Sequence, residues 1–193
     1  MAANPVHNLL INNLEYQPTK DQYNVLEKLS SVIQKNSNDT ILVITGYAGT
    51  GKTSIISSLV KSLDVLRMKS VLMAPTGRAA KVLSSYSGKK AFTVHKKIYR
   101  QKTYKDGEGL FVLDRNISSN TWFIVDEASM ISNTSTDNSI FGSGRLLEDL
   151  VEYIYTGKEC KLILVGDTAQ LPPVGSDVSP ALDMATLSRF GFL

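Results

Sequence analysis

Residues 46–53, Gly-Tyr-Ala-Gly-Thr-Gly-Lys-Thr, fit the pattern G-x-x-x-x-G-K-[ST]. Gly46, Gly49 and Gly51 let successive backbone N–H groups turn inward around an anion, and a helix starting there adds partial positive charge. Lys52 can then reach the β- and γ-phosphates of a nucleoside triphosphate, and the Thr53 hydroxyl can ligate Mg²⁺. A second cluster, Asp126-Glu127, ends the apolar run of residues 122–125. There Asp126 can hold Mg²⁺ through its water shell, while Glu127 orients or deprotonates the attacking water. The third cluster is Gly166-Asp167-Thr168-Ala169-Gln170-Leu171-Pro172-Pro173-Val174. The long neutral amide of Gln170 can bond a phosphate oxygen and a backbone group at once, and so report whether a γ-phosphate is present. Taken singly, the acidic pair is also compatible with a solvated turn, and the Gln170 segment with a turn and a stiff Pro-Pro exit. In one chain with the glycine loop, they point to a nucleoside triphosphate and Mg²⁺ as cofactors and to hydrolysis.

Such groups need rigid elements to aim them. Residues 41–44 are a β-branched apolar run, read as a buried parallel strand, and residues 53–66 carry apolar positions at helical spacing. Residues 70–74, 122–125 and 161–165 read as three more core strands, with helices over 78–84 and 145–155. A helix is expected from Pro18-Thr19 to about residue 34, and residues 92–99 as a helical turn or two. Residues 101–120 break the alternation. Strand-like stretches around Tyr104 and at residues 111–113 flank Asp106-Gly107, a strong turn dipeptide, and predict a projecting β-hairpin. Residues 132–144 read as a flexible loop, residues 1–17 as a loosely docked arm, and the tail beyond Pro172 as patternless. Apolar strands alternating with helices predict an α/β fold, a parallel sheet with helices on both faces. Ligands bind such sheets at the carboxyl ends of the strands, where every one of these polar clusters falls.

The totals agree with one such domain. The chain has 193 residues, 42% hydrophobic and 20% charged, with net charge +3. That mild basicity permits a polyanionic partner without requiring one. A single cysteine, Cys160, excludes an internal disulfide and a Cys-rich metal site, and reads as a core residue. No signal-peptide pattern and no membrane-length apolar run is visible, so a reducing cytoplasmic setting is expected, nucleoid-associated if the source is bacterial, with no membrane partner.

Four strings in this order resemble the motifs of superfamily 1 helicases. GYAGTGKTS is similar to motif I, APTGRAAKVL to motif Ia, VDEASM to motif II and LVGDTAQLPPV to motif III. The match is closest to the RecD- and Dda-like branch of 5′-to-3′ DNA helicases. The resemblance implies a RecA-like P-loop NTPase domain over residues 18–193, the first motor domain of such an enzyme. It implies nucleotide contacts from Ala48, Thr50 and Ser54 beside the loop residues named above, and adenine recognition by Gln22. Lys52, Glu127 and Gln170 take catalytic positions, and Thr53 and Asp126 metal positions. Pro75, Thr76 and Arg78 would contact single-stranded DNA, as would Thr93 and His95 in a short motif Ib, with Lys81, Lys96 and Lys97 as further phosphate contacts. The inserted hairpin would act as a wedge at duplex junctions, with Tyr104 and Phe111 as candidates to meet a base pair. Nothing after Val174 resembles the motifs of a second RecA-like domain, so a partner domain of the same full-length chain is expected beyond a truncation at Phe190-Gly191-Phe192-Leu193. Two other readings stay open: a stand-alone P-loop ATPase or kinase without a nucleic-acid partner, and a non-catalytic, nucleotide-dependent DNA-binding module.

Overall fold

A computed structural model describes residues 4–35, 40–103, 109–135 and 140–191. In chain order, α1 (Pro5–Asn12) and α2 (Lys20–Lys35) precede β1 (Thr40–Thr45), and α3 (Lys52–Val65) leads to β2 (Lys69–Ala74). Next come α4 (Gly77–Ser87), β3 (Ala91–Thr93), α5 (Val94–Ile98), β4 (Tyr99–Thr103) and β5 (Gly109–Leu113). β6 (Thr121–Val125), a 3₁₀ turn at Ala128–Met130, α6 (Leu146–Tyr155), β7 (Lys161–Gly166) and α7 (Met184–Ser188) follow.

The main sheet has the order β1-β7-β6-β2-β3, with every pairing parallel. Its register brings the strand ends level. Thr45 lies opposite Gly166, Met73 opposite Val125, and Ala74 opposite Thr93. Backbone bonds carry the alignment past the strands, from Gly46 N to Gly166 O at 3.2 Å and from Asp126 N to Met73 O at 3.0 Å.

Both faces of the central strands are apolar, so both must be covered. Phe123, Val125, Leu162 and Leu164 face one core with α5, α6 and the buried Ala181, Leu182 and Leu187. Trp122, Ile124, Ile163 and Val165 face the other, built on α1, α2, α3 and α4. The expected α/β fold is therefore present, with helices on both faces and an antiparallel β4–β5 hairpin inserted between β3 and β6.

Several local expectations are corrected. Residues 41–44 form a parallel strand as expected, but at the sheet edge, leaving Leu42 and Val43 only half-buried. Residues 92–99 divide into the short strand β3 and the helix α5. The hairpin strands start two residues earlier than expected, at Tyr99, and end at Leu113. Residues 114–120 are no part of it; Asn116 is buried there and donates to Ile154 O at 2.9 Å. The tail beyond Pro172 contributes α7 and core side chains.

Within the expected arm of residues 1–17, the described residues from Asn4 onward are docked on the domain and are not loose. Asn4 caps α1, accepting from Val6 N and His7 N at 3.1 Å each. Leu10 is 0% exposed, its carbonyl accepts from the buried Ser58 hydroxyl of α3, and Asn13 donates to Ser62 of the same helix at 2.9 Å. Helix α1 thus seals the outer side of α3. Leu10→Ala is expected to cost about 2–5 kcal/mol of folding free energy, measured by urea unfolding, as for other buried leucines. A loss within a few tenths of a kcal/mol would restore the loose arm.

Candidate functional site

The glycine loop hangs from β1 and opens α3. Gly49 and Gly51 have φ of +77° and +87°, left-handed backbone that costs glycine little. Gly51 is the N-cap of α3 and brings no side chain to bond its amides, which leaves the first turn to an anion. Tyr47, Ala48, Gly49 and Thr50 are exposed, with Ser54 half-buried behind them. The Lys52 ammonium curls over the loop, donating to Gly46 O at 2.5 Å and Tyr47 O at 2.9 Å. Thr53 is exposed in the first turn of α3. This open cradle with its lysine and hydroxyl fits a triphosphate carrying Mg²⁺. Among the described residues, no three His, Cys, Asp or Glu gather to hold a metal. One hydroxyl and one carboxylate suit an ion that keeps most of its waters and takes phosphate oxygens, as Mg²⁺ does.

Gln22 supports the loop from outside. Thr19 Oγ1 accepts from Gln22 N at 3.3 Å, and Gln22 Oε1 accepts from Thr19 N at 3.0 Å, a reciprocal capping box at the start of α2. The Gln22 amide nitrogen then donates to Thr50 O at 2.9 Å.

At the end of β6, Asp126 Oδ1 accepts from Glu127 N at 2.9 Å, and Oδ2 accepts from the Tyr86 hydroxyl of α4 at 2.5 Å. Burial, and then the Asp126 charge, raise the Tyr86 pKa and keep the phenol protonated as a donor. Glu127 sits at φ 54°, ψ 36°, left-handed backbone that costs a non-glycine residue on the order of 1 kcal/mol. After β7, Asp167 is buried; its Oδ1 accepts from Ala169 N at 2.9 Å and its carbonyl from Gln170 N at 3.3 Å. This turn presents Gln170, whose Oε1 accepts from the buried Ser129 hydroxyl at 3.1 Å.

Beside these groups a cleft of about 350 Å³ is lined by Thr76, Arg78, Ala79, Val82, Asp126, Glu127, Met130 and Gln170. The structure therefore joins four residues of the motif Ia string, Thr76 and Arg78 among them, with the acidic pair and Gln170. Thr76 caps α4, accepting from Ala79 N at 3.2 Å, with Pro75 half-buried before it and Arg78 exposed. Thr93 caps α5 in the same way through Lys96 N at 3.2 Å. Lys97 lies 5.9 Å from the centre of the Phe92 ring, while Lys81 and Lys96 are exposed.

His95 and Phe111 have neighbours that the sequence did not indicate. The His95 ring meets Phe141 edge-on at 5.0 Å, and Phe111 stacks on Phe141 at 4.6 Å. Backbone bonds of 2.9 Å and 2.8 Å join Phe111 to Ile140 and Gly142, so this part of residues 132–144 is attached to the hairpin. Phe111, opposite Gln101 midway along the hairpin, is thus packed on Phe141 and does not stand free to meet a base pair. Tyr104, with Asp106-Gly107, lies outside the described residues.

Residues 30–176 match the family model described as AAA domain. The chain belongs to the AAA-domain family. Among similar proteins, the ATP-dependent RecD2 DNA helicase of Deinococcus radiodurans is 29% identical over 87% of this chain and 21% of its own length. The RecBCD enzyme subunit RecD of Buchnera aphidicola is 31% identical over 86% of the chain and 28% of its own. The ATP-dependent DNA helicase dda of phage T4 is 27% identical over 89% and 36%. This AAA domain thus spans between about a fifth and somewhat over a third of the length of these relatives. They agree with the superfamily 1, RecD- and Dda-like first motor domain that the motifs resemble. No helix among the described residues is long and apolar enough to cross a membrane.

Sequence reading gave no role in the site to four residues that hold it in shape: Thr19, Tyr86, Ser129 and Asp167. Thr19 was within reach, since Thr19-Lys20-Asp21-Gln22 has the T-x-x-Q form of a capping box. Tyr86 gave no signal, because its partner is forty positions away.

Burial lowers the His95 pKa below its ordinary 6.5, so the folded AAA domain resists a proton that the unfolded chain accepts. The stability this gives is present above the unfolded value and is lost as pH falls through the folded one. His95→Phe, which keeps the ring contacts, is expected to make unfolding free energy less steep between about pH 7 and about pH 5 in urea titrations. Parallel slopes for the two proteins would show that His95 titrates alike folded and unfolded.

Proposed function

We propose that this chain is the first motor domain of an ATP-dependent DNA helicase that moves along single-stranded DNA and separates duplex, 5′ to 3′. The observation that carries the reading is the cleft shared by Thr76, Arg78, Asp126, Glu127 and Gln170. Hydrolysis alone needs a water beside a phosphate and has no use for residues of the motif Ia type on the same cleft. A motor needs that juxtaposition, because backbone contacts to the track must feel whether the nucleotide is intact.

In this reading Lys52 and the amides at the start of α3 hold the β- and γ-phosphates, and Gln22 reaches the adenine from its place against the loop. Mg²⁺, held by Thr53 and by Asp126 through water, offsets phosphate charge when bound. Glu127 takes a proton from the attacking water. Gln170, fixed by Ser129 and the Asp167 turn, contacts the γ-phosphate and registers its loss. Pro75, Thr76, Arg78, Thr93 and His95 follow the DNA backbone along the sheet edge, giving affinity without sequence preference. The hairpin meets the duplex junction, with Tyr104 as the candidate ring, while Phe111 holds the hairpin to Phe141. A second RecA-like domain completes the nucleotide site, and the protein works in the cytoplasm, at the nucleoid in a bacterium.

The test is ATP turnover of the two-domain protein with and without oligo-dT. DNA is expected to stimulate it. Lys52→Ala should abolish turnover, and Glu127→Gln should lower it on the order of 10²–10⁴-fold while leaving nucleotide binding in place. Arg78→Ala should reduce the stimulated rate more than the basal rate. Turnover indifferent to DNA would favour the stand-alone ATPase or kinase. DNA binding that responds to nucleotide, with no turnover, would favour the non-catalytic module.

A further inference from the structure

Tyr86 has no part in the motif chemistry described so far, yet its hydroxyl is bonded to the one carboxylate assigned to the metal. Asp126 is held at both oxygens, Oδ1 by Glu127 N at 2.9 Å and Oδ2 by Tyr86 at 2.5 Å. A carboxylate offers about four acceptor positions, so each oxygen keeps a lone pair for a metal-bound water while its plane can no longer turn. Tyr86 is fixed in its turn, its carbonyl accepting from Ser57 of α3 at 3.2 Å. With Asn13, Glu15, Thr53, Ser54 and Ser57 it lines a small cavity of about 100 Å³. One side chain on α4 therefore touches Asp126 and shares a cavity with Thr53, the two metal positions lying on different elements, the first turn of α3 and the end of β6.

We propose that Tyr86 is a positioning residue for the magnesium site. Its hydroxyl locks Asp126 in the orientation that receives the water shell of Mg²⁺ and sets the distance of that carboxylate from Thr53. The inference rests on the nucleotide-binding reading above and adds to it a residue that touches neither phosphate nor metal. Hydrogen bonds that orient a metal-binding carboxylate are typically worth 10–100-fold in metal affinity, and a carboxylate acting through water belongs at the low end. The phenol ring packs against the buried side chains around α3 and α4, so Tyr86→Phe removes the hydroxyl and keeps that packing.

The experiment titrates Mg²⁺ against binding of a fluorescent, non-hydrolysable ATP analogue to this chain. In Tyr86→Phe the half-saturating Mg²⁺ concentration is expected to rise about tenfold, with affinity for the metal-free analogue unchanged. In an Asp126→Asn background the same substitution should shift nothing further, since the group it orients no longer carries the charge. An unchanged Mg²⁺ curve in Tyr86→Phe overturns the proposal. So does a lower half-saturation, which would make the hydroxyl a competitor of the metal, or a shift that persists undiminished beside Asp126→Asn. If the unsubstituted chain binds the analogue with no dependence on Mg²⁺, the proposal falls. If it binds no analogue at all, the nucleotide-binding reading falls with it. Should Tyr86→Phe fail to fold, 3-fluorotyrosine at position 86 keeps the hydroxyl. Its ¹⁹F resonance should move when Mg²⁺ is added at saturating analogue and stay still in Asp126→Asn. A resonance indifferent to Mg²⁺ overturns the assignment.

Discussion

Parallel pairing in a fixed register is the constraint from which the site follows. A strand that slips by one residue turns every side chain to the opposite face. Here Trp122 and Ile124 belong to one core and Phe123 and Val125 to the other, so a slip would misplace both at once. The two cores therefore pin the strand ends, and the strand ends pin the loops. Strand order then sets what lies beside what: the glycine loop on β1, Gln170 after β7, the acidic pair after β6, Arg78 after β2 and His95 after β3. Gln170 and the acidic pair stand in the middle of that row, between the loop and the residues assigned to DNA.

Chemistry encoded in a few adjacent residues was legible from the sequence. The glycine loop, Asp126-Glu127 and the Gln170 turn each combine a strand end with a characteristic local string, and each lies where such strings belong. What the sequence hid depends on distant partners. Helix α1 is only eight residues long, and its docking rests on Leu10, Val6 and Ile11 in the core with α2 and α3 and on bonds from the α1 segment to Ser58 and Ser62. At three residues β3 is too short to show a period, and what makes it a strand is the neighbouring β2. Phe111 looked like an exposed hairpin aromatic because its partner, Phe141, lies in a stretch rich in serine and asparagine.

The hairpin is mounted more firmly than its polar sequence implies. Tyr99, the first residue of β4, donates its hydroxyl to the buried Asp149 of α6 at 2.6 Å, and Ser143 N donates to the same oxygen at 3.0 Å. With the Phe111–Phe141 stack, this ties the base of the hairpin to a helix of the core. His95, on α5 against that aromatic group, belongs both to the sheet edge and to the hairpin mount. Displacement of the edge at β3 would therefore be carried directly into the hairpin base.

The place of β1 at the edge of the sheet has a consequence for how the domain breathes. Among the described residues β1 is bonded to β7 alone, so its outward amides and carbonyls have no strand across from them. Edge segments open at free energies well below that of global unfolding, and exchange their amide hydrogens accordingly. Any ligand gripping the loop after Thr45 binds only while the strand behind it is closed. By mass action such a ligand slows exchange along the whole of β1, and fraying of that strand subtracts from its affinity. The strand that carries the phosphate loop is thus the one whose own folding the nucleotide can influence most.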